Sequence, residues 1–428
     1  KDIRKKILYT LMILVIVRVG SLLPIPGVDT EYFSSLLSGI NTGDLSYLSA
    51  FTGGSFERMS LFALSITPYI TSSIIMQLLA IAIPKLEEMQ KEGEDGRKKI
   101  AAITRYVTIA LALIESIAMS VGFGRSGLIK GYQGFSTLHY IVSIIVVVAA
   151  LTAGSAMLMW LGERITENGV GNGISIVLLI NIISGMPSDF ATLYSTFVAP
   201  RTIAKGVLAA AIIIAILVVM VVLVCFLQDG ERRIPVQYSQ KVSGRRTVGG
   251  QSTNIPLKVN TAGVMPIIFA SSLMQFPVII AQLFGKSYEW TRYLSSSYWC
   301  RVEAPKYSIG LLVYIVLLII FAYFYTSITF NPIEVADNLK KAGGVIPGIT
   351  PGKSTSEYLN KILNYIVFIG AVGLLIIALI PIMCTGFFNA SVSFGGTSII
   401  IIVGVVLETL KQIESQMVNR YYKGFLSE

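Results

Sequence analysis

Ten apolar stretches divide this chain, and the turns between them alternate between strongly and weakly basic. The stretches cover 7–23, 61–83, 101–122, 138–161, 173–194, 204–226, 261–284, 307–330, 359–383 and 396–413. Each is near the roughly 20 residues that cross about 30 Å of hydrocarbon. A backbone in lipid must satisfy its polar groups internally, so stretches of this kind fold as helices. Hydrophobic residues make up 54%, charged residues 14%, and mean hydropathy is +0.71, against about a quarter charged in soluble domains. The composition calls for lipid as solvent.

Ten crossings place both termini on one side. Segments on that side (1–6, 84–100, 162–172, 227–258, 331–358 and 411–428) hold 22 Lys and Arg, and the opposite segments (24–60, 123–137, 195–205, 285–306 and 384–395) hold 9. The positive-inside rule makes the richer face cytoplasmic. The first apolar run is followed by PIPG at 24–27 and not by a small-residue cleavage site, so it reads as a span. Cys225, Cys300 and Cys384 give no disulfide framework, with only a Cys300–Cys384 bridge on the outer side left open.

Five spans precede the loop at 185–205 and five follow it. The expected fold is all-α, with two inverted five-helix halves, 1–194 and 195–428, a plan used by proteins that move material across bilayers. Spans two and seven stand out. SLFALSITPYITSSIIMQLLAIAIP (60–84) contains Pro68 and Gln77, and NTAGVMPIIFASSLMQFP (260–277) contains Pro266 and Gln275. Packing through small and hydroxyl residues explains their Ser and Ala. It does not explain the matched Pro and Gln, and broken polar helices at matched positions point to a conducting or binding axis.

The outer segment 24–60 is too long for a turn. Its second part, DLSYLSAFTGGSFERMS (44–60), has Gly53 and Gly54 just before span two, and fits either a segment folded back between helices or a surface loop. On the basic face, 229–258 has the Pro, Gly and Thr/Val pattern of a β-hairpin-like protrusion, and 331–355 has Gly-Pro punctuation. Basic fingers of this length suit an acidic protein or RNA partner.

Residues poised for catalysis are scarce. His139 is the single histidine, and no Cys/His metal spacing occurs. GVGNG (169–173) lacks the Lys and preceding strand of a phosphate loop and reads as a turn opening span five. TVGG (247–250) lies in a basic loop, away from any pore helix. Arg18 and Glu115 are the charges clearly inside spans, where charge implies function. An ion-coupled transporter would carry more buried carboxylates, and an intramembrane protease would need a dyad. The expectation is no enzyme, no metal and no cofactor, with the transporter as the alternative.

RVGSLLPIPG (18–27), TPYITSSIIMQLL (67–79), KEGEDGRKK (91–99), ERITENGVGNGISI (163–176), RRIPVQY (232–238), GRRTVGGQSTNIPLKVNTAGVMPIIFASS (244–272), NPIEVADNLKKAGGVIPGITPG (331–352) and GGTSIII (395–401) closely resemble the bacterial SecY family across essentially the whole chain. The resemblance implies a channel for unfolded polypeptides in the bacterial cytoplasmic membrane, with both termini cytoplasmic. The halves would hinge after span five. A constriction would be formed by Ile66, Ile70, Ile174, Leu178, Ile268 and Ile401; Ile66/Ile70 and Ile174/Leu178 are spaced to share a helical face. A lateral gate between spans two and three and spans seven and eight would include Thr71, Gln77, Glu115, Gln275 and Phe276. Segment 44–60 would be a plug carrying Leu45, Leu48, Phe51, Gly53 and Gly54. Cytoplasmic partners would meet Arg232, Arg233, Arg245, Arg246, Lys340, Lys341 and Lys353. The implied partners are SecE, SecG, the SecA ATPase, the ribosome, preproteins with signal sequences, and the lipid bilayer. Thr350 stands where the family usually has Arg, which puts that residue's motor-coupling role in doubt here.

Overall fold

The structure, a computed structural model, describes residues 2–39, 52–123, 137–200, 203–238, 241–243, 246–248, 252–283, 289–295, 298–300, 305–388 and 396–424. Each predicted span contains a helix: α1 (Asp2–Leu22), α3 (Thr67–Ala82), α5 (Glu94–Phe123), α6 (Thr137–Asn168), α7 (Gly173–Leu193), α8 (Ile203–Asp229), α9 (Met265–Leu283), α11 (Ile309–Thr329), α13 (Lys353–Phe388) and α14 (Gly396–Gly424). Shorter helices lie between them: α2 (Thr30–Gly39), α4 (Pro84–Lys91), α10 (Thr291–Leu294) and α12 (Pro332–Lys341).

Among the described residues six helices are long and apolar enough to cross a membrane, over 98–122, 139–168, 173–198, 205–229, 305–341 and 353–384. The other four expected spans are less uniform. α3 meets α4 at a bend of 104°, α9 has its apolar part in Met265–Met274, and α1 and α14 carry charged residues along their length.

Three boundaries differ from the hydropathy pattern. Residues 61–66 form turns, and α3 starts only at Thr67 with Pro68 in its first turn, where proline's missing N–H costs nothing. Residues 261–264 are likewise turn, with Pro266 the second residue of α9. Most of the expected loop at 185–205 is helical: α7 continues through Pro187, and a π-helical turn follows at Tyr194–Val198. Apolarity marks where a chain enters lipid; helix ends are set by local backbone chemistry.

Helices in lipid associate through close packing and hydroxyl contacts more than through the hydrophobic effect. A Cβ on Gly154 of α6 would lie 1.9 Å from the Leu61 carbonyl oxygen, and one on Gly173 would lie 1.9 Å from that of Gly162. Neither contact admits a side chain. Hydroxyl pairs join α3 to α5 through Ser72 and Thr108, and α5 to α6 through Ser116 and Thr152.

A small sheet lies outside the helices. β1 (Glu231–Tyr238) pairs antiparallel with β4 (Ser252–Lys258), in register from Glu231↔Lys258 to Gln237↔Ser252. Between them β2 (Lys241–Ser243) pairs with β3 (Arg246–Val248). β1 alternates, turning Ile234 and Val236 inward and leaving Arg232 and Arg233 exposed. Its other edge takes β5 (Gly344–Val345), from the loop between α11 and α13. The two basic loops are therefore one platform, with a core of Ile234, Val236, Leu257, Leu339, Ile346 and Leu359.

Candidate functional site

All six residues expected at the constriction belong to one apolar cluster. Ile66 and Ile401 are each 1% exposed, Leu178 and Ile268 are buried, and Ile70 and Ile174 pack on them partly buried. Their elements are positioned by local chemistry. Ile66 is the N-cap of α3 and not part of the helix, and its carbonyl accepts from the Ile70 N–H at 3.1 Å, so the pair remains one turn apart. Asn172 caps α7, its side chain accepting from Ile174 N at 3.2 Å, and GVGNG forms the turn before it, with Val170 N donating to Thr10 Oγ1 at 3.2 Å. At α9 Asn260 Nδ2 donates to the Gly263 carbonyl at 3.0 Å, and Ile268 N donates to Val264 O at 3.3 Å.

This cluster joins the first five long helices to the last five, since Phe62, Ile66, Leu178 and Ile182 pack with Ile268, Phe269, Ile401 and Val405. Phe269 meets Phe321 and Tyr325 of α11 edge-on, with centroids 5.8 and 5.9 Å apart. A ring of branched apolar side chains excludes water and ions while yielding to a flexible chain.

The gate candidates are placed less completely. Thr71 Oγ1 donates to Thr67 O at 3.1 Å within α3. Gln77 Oε1 is buried without a hydrogen-bond partner among the described residues, and Glu115 is partly exposed on α5. Gln275 and Phe276 lie on α9; their side chains are outside the described residues.

Of the plug candidates, Leu45, Leu48 and Phe51 lie outside the described residues. Gly53 and Gly54 open a tightly wound segment, with φ of 61° and 79°. Met59 at 43° and Ser65 at 53° are also left-handed, a conformation that costs a non-glycine residue about 1–3 kcal/mol. The segment is tied to the chain leaving α1: Ile25 N donates to Met59 O at 3.1 Å and Leu61 N to Leu23 O at 2.9 Å. Phe56 and Met59 are buried against Ile25, Phe33, Met119 and Leu151. Hydropathy missed the polar contacts beneath this segment. Asn181 Nδ2 donates to Ser65 Oγ at 3.1 Å, and the lone Asn within LLINIIS was the available signal.

Five of the basic candidates lie on β1, α12 and α13. Arg232 and Arg233 are exposed on β1, with Arg233 Nε donating to Glu231 at 2.7 Å. Lys340 and Lys341 close the last turn of α12, where cations favour the helix dipole. Lys353 opens α13, 3.9 Å from Glu357. Arg246 lies on β3 with its side chain outside the described residues, as is the whole of Arg245. Thr350 Oγ1 donates to Ser354 Oγ at 2.9 Å, and its carbonyl accepts from Thr355 Oγ1 at 2.9 Å. It shapes the turn before α13 and offers no cation.

A SecY family model matches residues 60–410. The chain belongs to the SecY family. The protein translocase subunit SecY of Streptomyces galbus is 45% identical, over 99% of this chain and 97% of that one. The Bacillus subtilis protein of the same description is 42% identical with the same coverage. Among solved structures, a protein-conducting channel aligns with a TM-score of 0.63 at 17% identity, covering 97% of this chain and 93% of that one. The channel of a canine ribosome complex from the endoplasmic reticulum aligns at 0.59, also at 17% identity, over the same shares. The fold is that of these channels, ten helices in two halves.

Proposed function

We propose that this chain is the channel through which unfolded polypeptide crosses a membrane and from which apolar segments pass sideways into lipid. The observation that carries this is the single cluster in which Ile66, Ile70, Ile174, Leu178, Ile268 and Ile401 meet across the two sets of helices. Such a cluster seals without polar bonds that must be broken. Family membership argues for the same reading, and an ion-coupled transporter is disfavoured by both.

In this reading 1–194 and 195–428 part like a clamshell, with α3 and α5 moving away from α9 and α11 and the chain from 44 to 60 leaving the outer mouth. The platform faces the cytoplasm of a bacterium, as do both termini. It receives the ribosome or SecA, while SecE and SecG flank the helices. The relatives' ribosome-bound structures support the ribosome as partner. No catalytic step is assigned to the chain, and the work comes from the partner.

The test is reconstitution of the chain with SecE and SecG in vesicles, with SecA and ATP outside. Protease-protected preprotein is the expected result. Vesicles that import no preprotein yet accumulate a solute against an ion gradient would replace this reading with the transporter.

A further inference from the structure

The wound segment 52–66 rests on polar groups that fall into two sets. One set holds it. Asn181 of α7 is 2% exposed and donates through Nδ2 to Ser65 Oγ at 3.1 Å. Ser184 Oγ donates to Asn181 O at 2.8 Å and reaches Gly53 O at 3.5 Å. Ser155 of α6 reaches the Ser65 carbonyl at 3.5 Å. The fit at Gly53 is close: a Cβ there would lie 2.6 Å from Ser184 Oγ and 2.7 Å from Asn181 O.

The other set is unsatisfied in this position. The same Cβ would lie 3.1 Å from Arg18 Nη1, and that nitrogen is buried with no hydrogen-bond partner among the described residues. Asn181 Oδ1, Ser55 Oγ and Ser60 Oγ are also buried without partners among the described residues. Arg58, within the segment, carries the same charge as Arg18 and repels it. Buried polar atoms left unpaired lose their hydration without recompense, so each favours any state in which the part of the segment up to Ser60 leaves and water enters.

We infer that Arg18, Asn181 and Ser184 form a loaded latch, in which α7 pins the segment and the α1 cation opposes it. This rests on the plug reading of 44–60. The two sides of the latch have opposite signs. Loss of Asn181 or Ser184 frees the segment; replacement of Arg18 by an apolar residue removes the opposing charge and settles it. Arg18 is a positioning residue that acts through the turn at Gly53 and has no part in sealing.

The experiment measures resting ion conductance of the reconstituted complex, with thermal stability recorded on each preparation. Asn181→Ala should raise the leak about twofold to tenfold, the range expected for one hydrogen bond, and Ser184→Ala should act likewise if Asn181→Ala assembles poorly. Adding Arg18→Leu to either should bring the leak back down, whereas Arg18→Lys should not. A double variant that leaks as much as or more than its parent would show that Arg18 only packs there or helps to hold, and would overturn the latch. Deleting 44–60 separates the two ideas. If deletion leaves conductance unchanged, the plug reading fails; if deletion leaks and Arg18→Leu does not suppress, the latch alone fails.

Discussion

The cluster around Ile66 and Ile401 and the sheet around Ile234 are both lined with Ile, Leu and Val, but they are joined differently. In the first, side chains from both sets of five helices interdigitate, and what holds them is dispersion between surfaces that lipid or another polypeptide solvates almost as well. In the second, the backbones of two loops are hydrogen-bonded into one sheet, β4-β1-β5, over its own core. A seam of the first kind separates without leaving unpaired polar groups. A joint of the second kind does not, so in the proposed opening the platform would move as a body and the seam would be where the two sets of helices part.

The largest effect expected from this contrast is at the seam. Thr71→Cys with Phe276→Cys should crosslink in the resting channel, since a disulfide needs Cα atoms roughly 4.4–6.8 Å apart, and oxidation should stop preprotein passage until reductant is added. Efficient crosslinking with passage continuing would mean that α3 and α9 need not part. Next, Ile70→Asn with Ile268→Asn should admit water to the constriction and raise resting ion conductance by at least about tenfold, equivalent to roughly 1.4 kcal/mol. An unchanged conductance in folded, inserted protein would remove both from the seal.

On the platform, Ile234→Ala should destabilise the sheet by about 2–5 kcal/mol, the usual range for a buried aliphatic truncation. Protease sensitivity of the two loops should rise and ribosome binding should weaken, with conductance unaffected. A leak from this variant would show that the two regions are coupled. The smallest effect is for Arg232→Glu with Arg233→Glu, which should weaken binding of the cytosolic partner about twofold to fivefold, as for exposed charge pairs. Titration at two salt concentrations should show the difference shrinking at the higher one.

The membrane helices were legible because lipid leaves few choices: a run near 20 apolar residues has to be a helix, while the sides of the turns remain an expectation from their charge. The positions of Ile66, Ile174, Ile268 and Ile401 followed from motif, and the structure brings them together in one cluster. Local signals did not extend further. Nothing in Gly344–Val345 marks it as a strand, because its pairing depends on Gln237 and Tyr238 far back in the chain. The boundary between span five and the loop at 185–205 was not legible, and α7 passes through Pro187, as membrane helices can when neighbours satisfy the freed carbonyl. Ile66 looked like a helical residue and is a cap. Asn181 was visible as a polar residue in an apolar run, but its partner at Ser65 could be known only once the turn at 61–66 was placed.

The pairing of β1 with β5 also sets an order of events during synthesis. Tyr238 lies opposite Gly344, so β1 leaves the ribosome more than a hundred residues ahead of its partner. At about 5–20 residues per second it waits roughly 5–20 s with one edge open, while α9 and α11 are threaded into the membrane. An open strand edge invites pairing with other chains, and β1 spends that interval with Arg232 and Arg233 exposed, charges that discourage such pairing. The platform proposed to receive a partner thus closes its second edge only after α9 and α11 have been made, and its core is completed later still by Leu359 of α13.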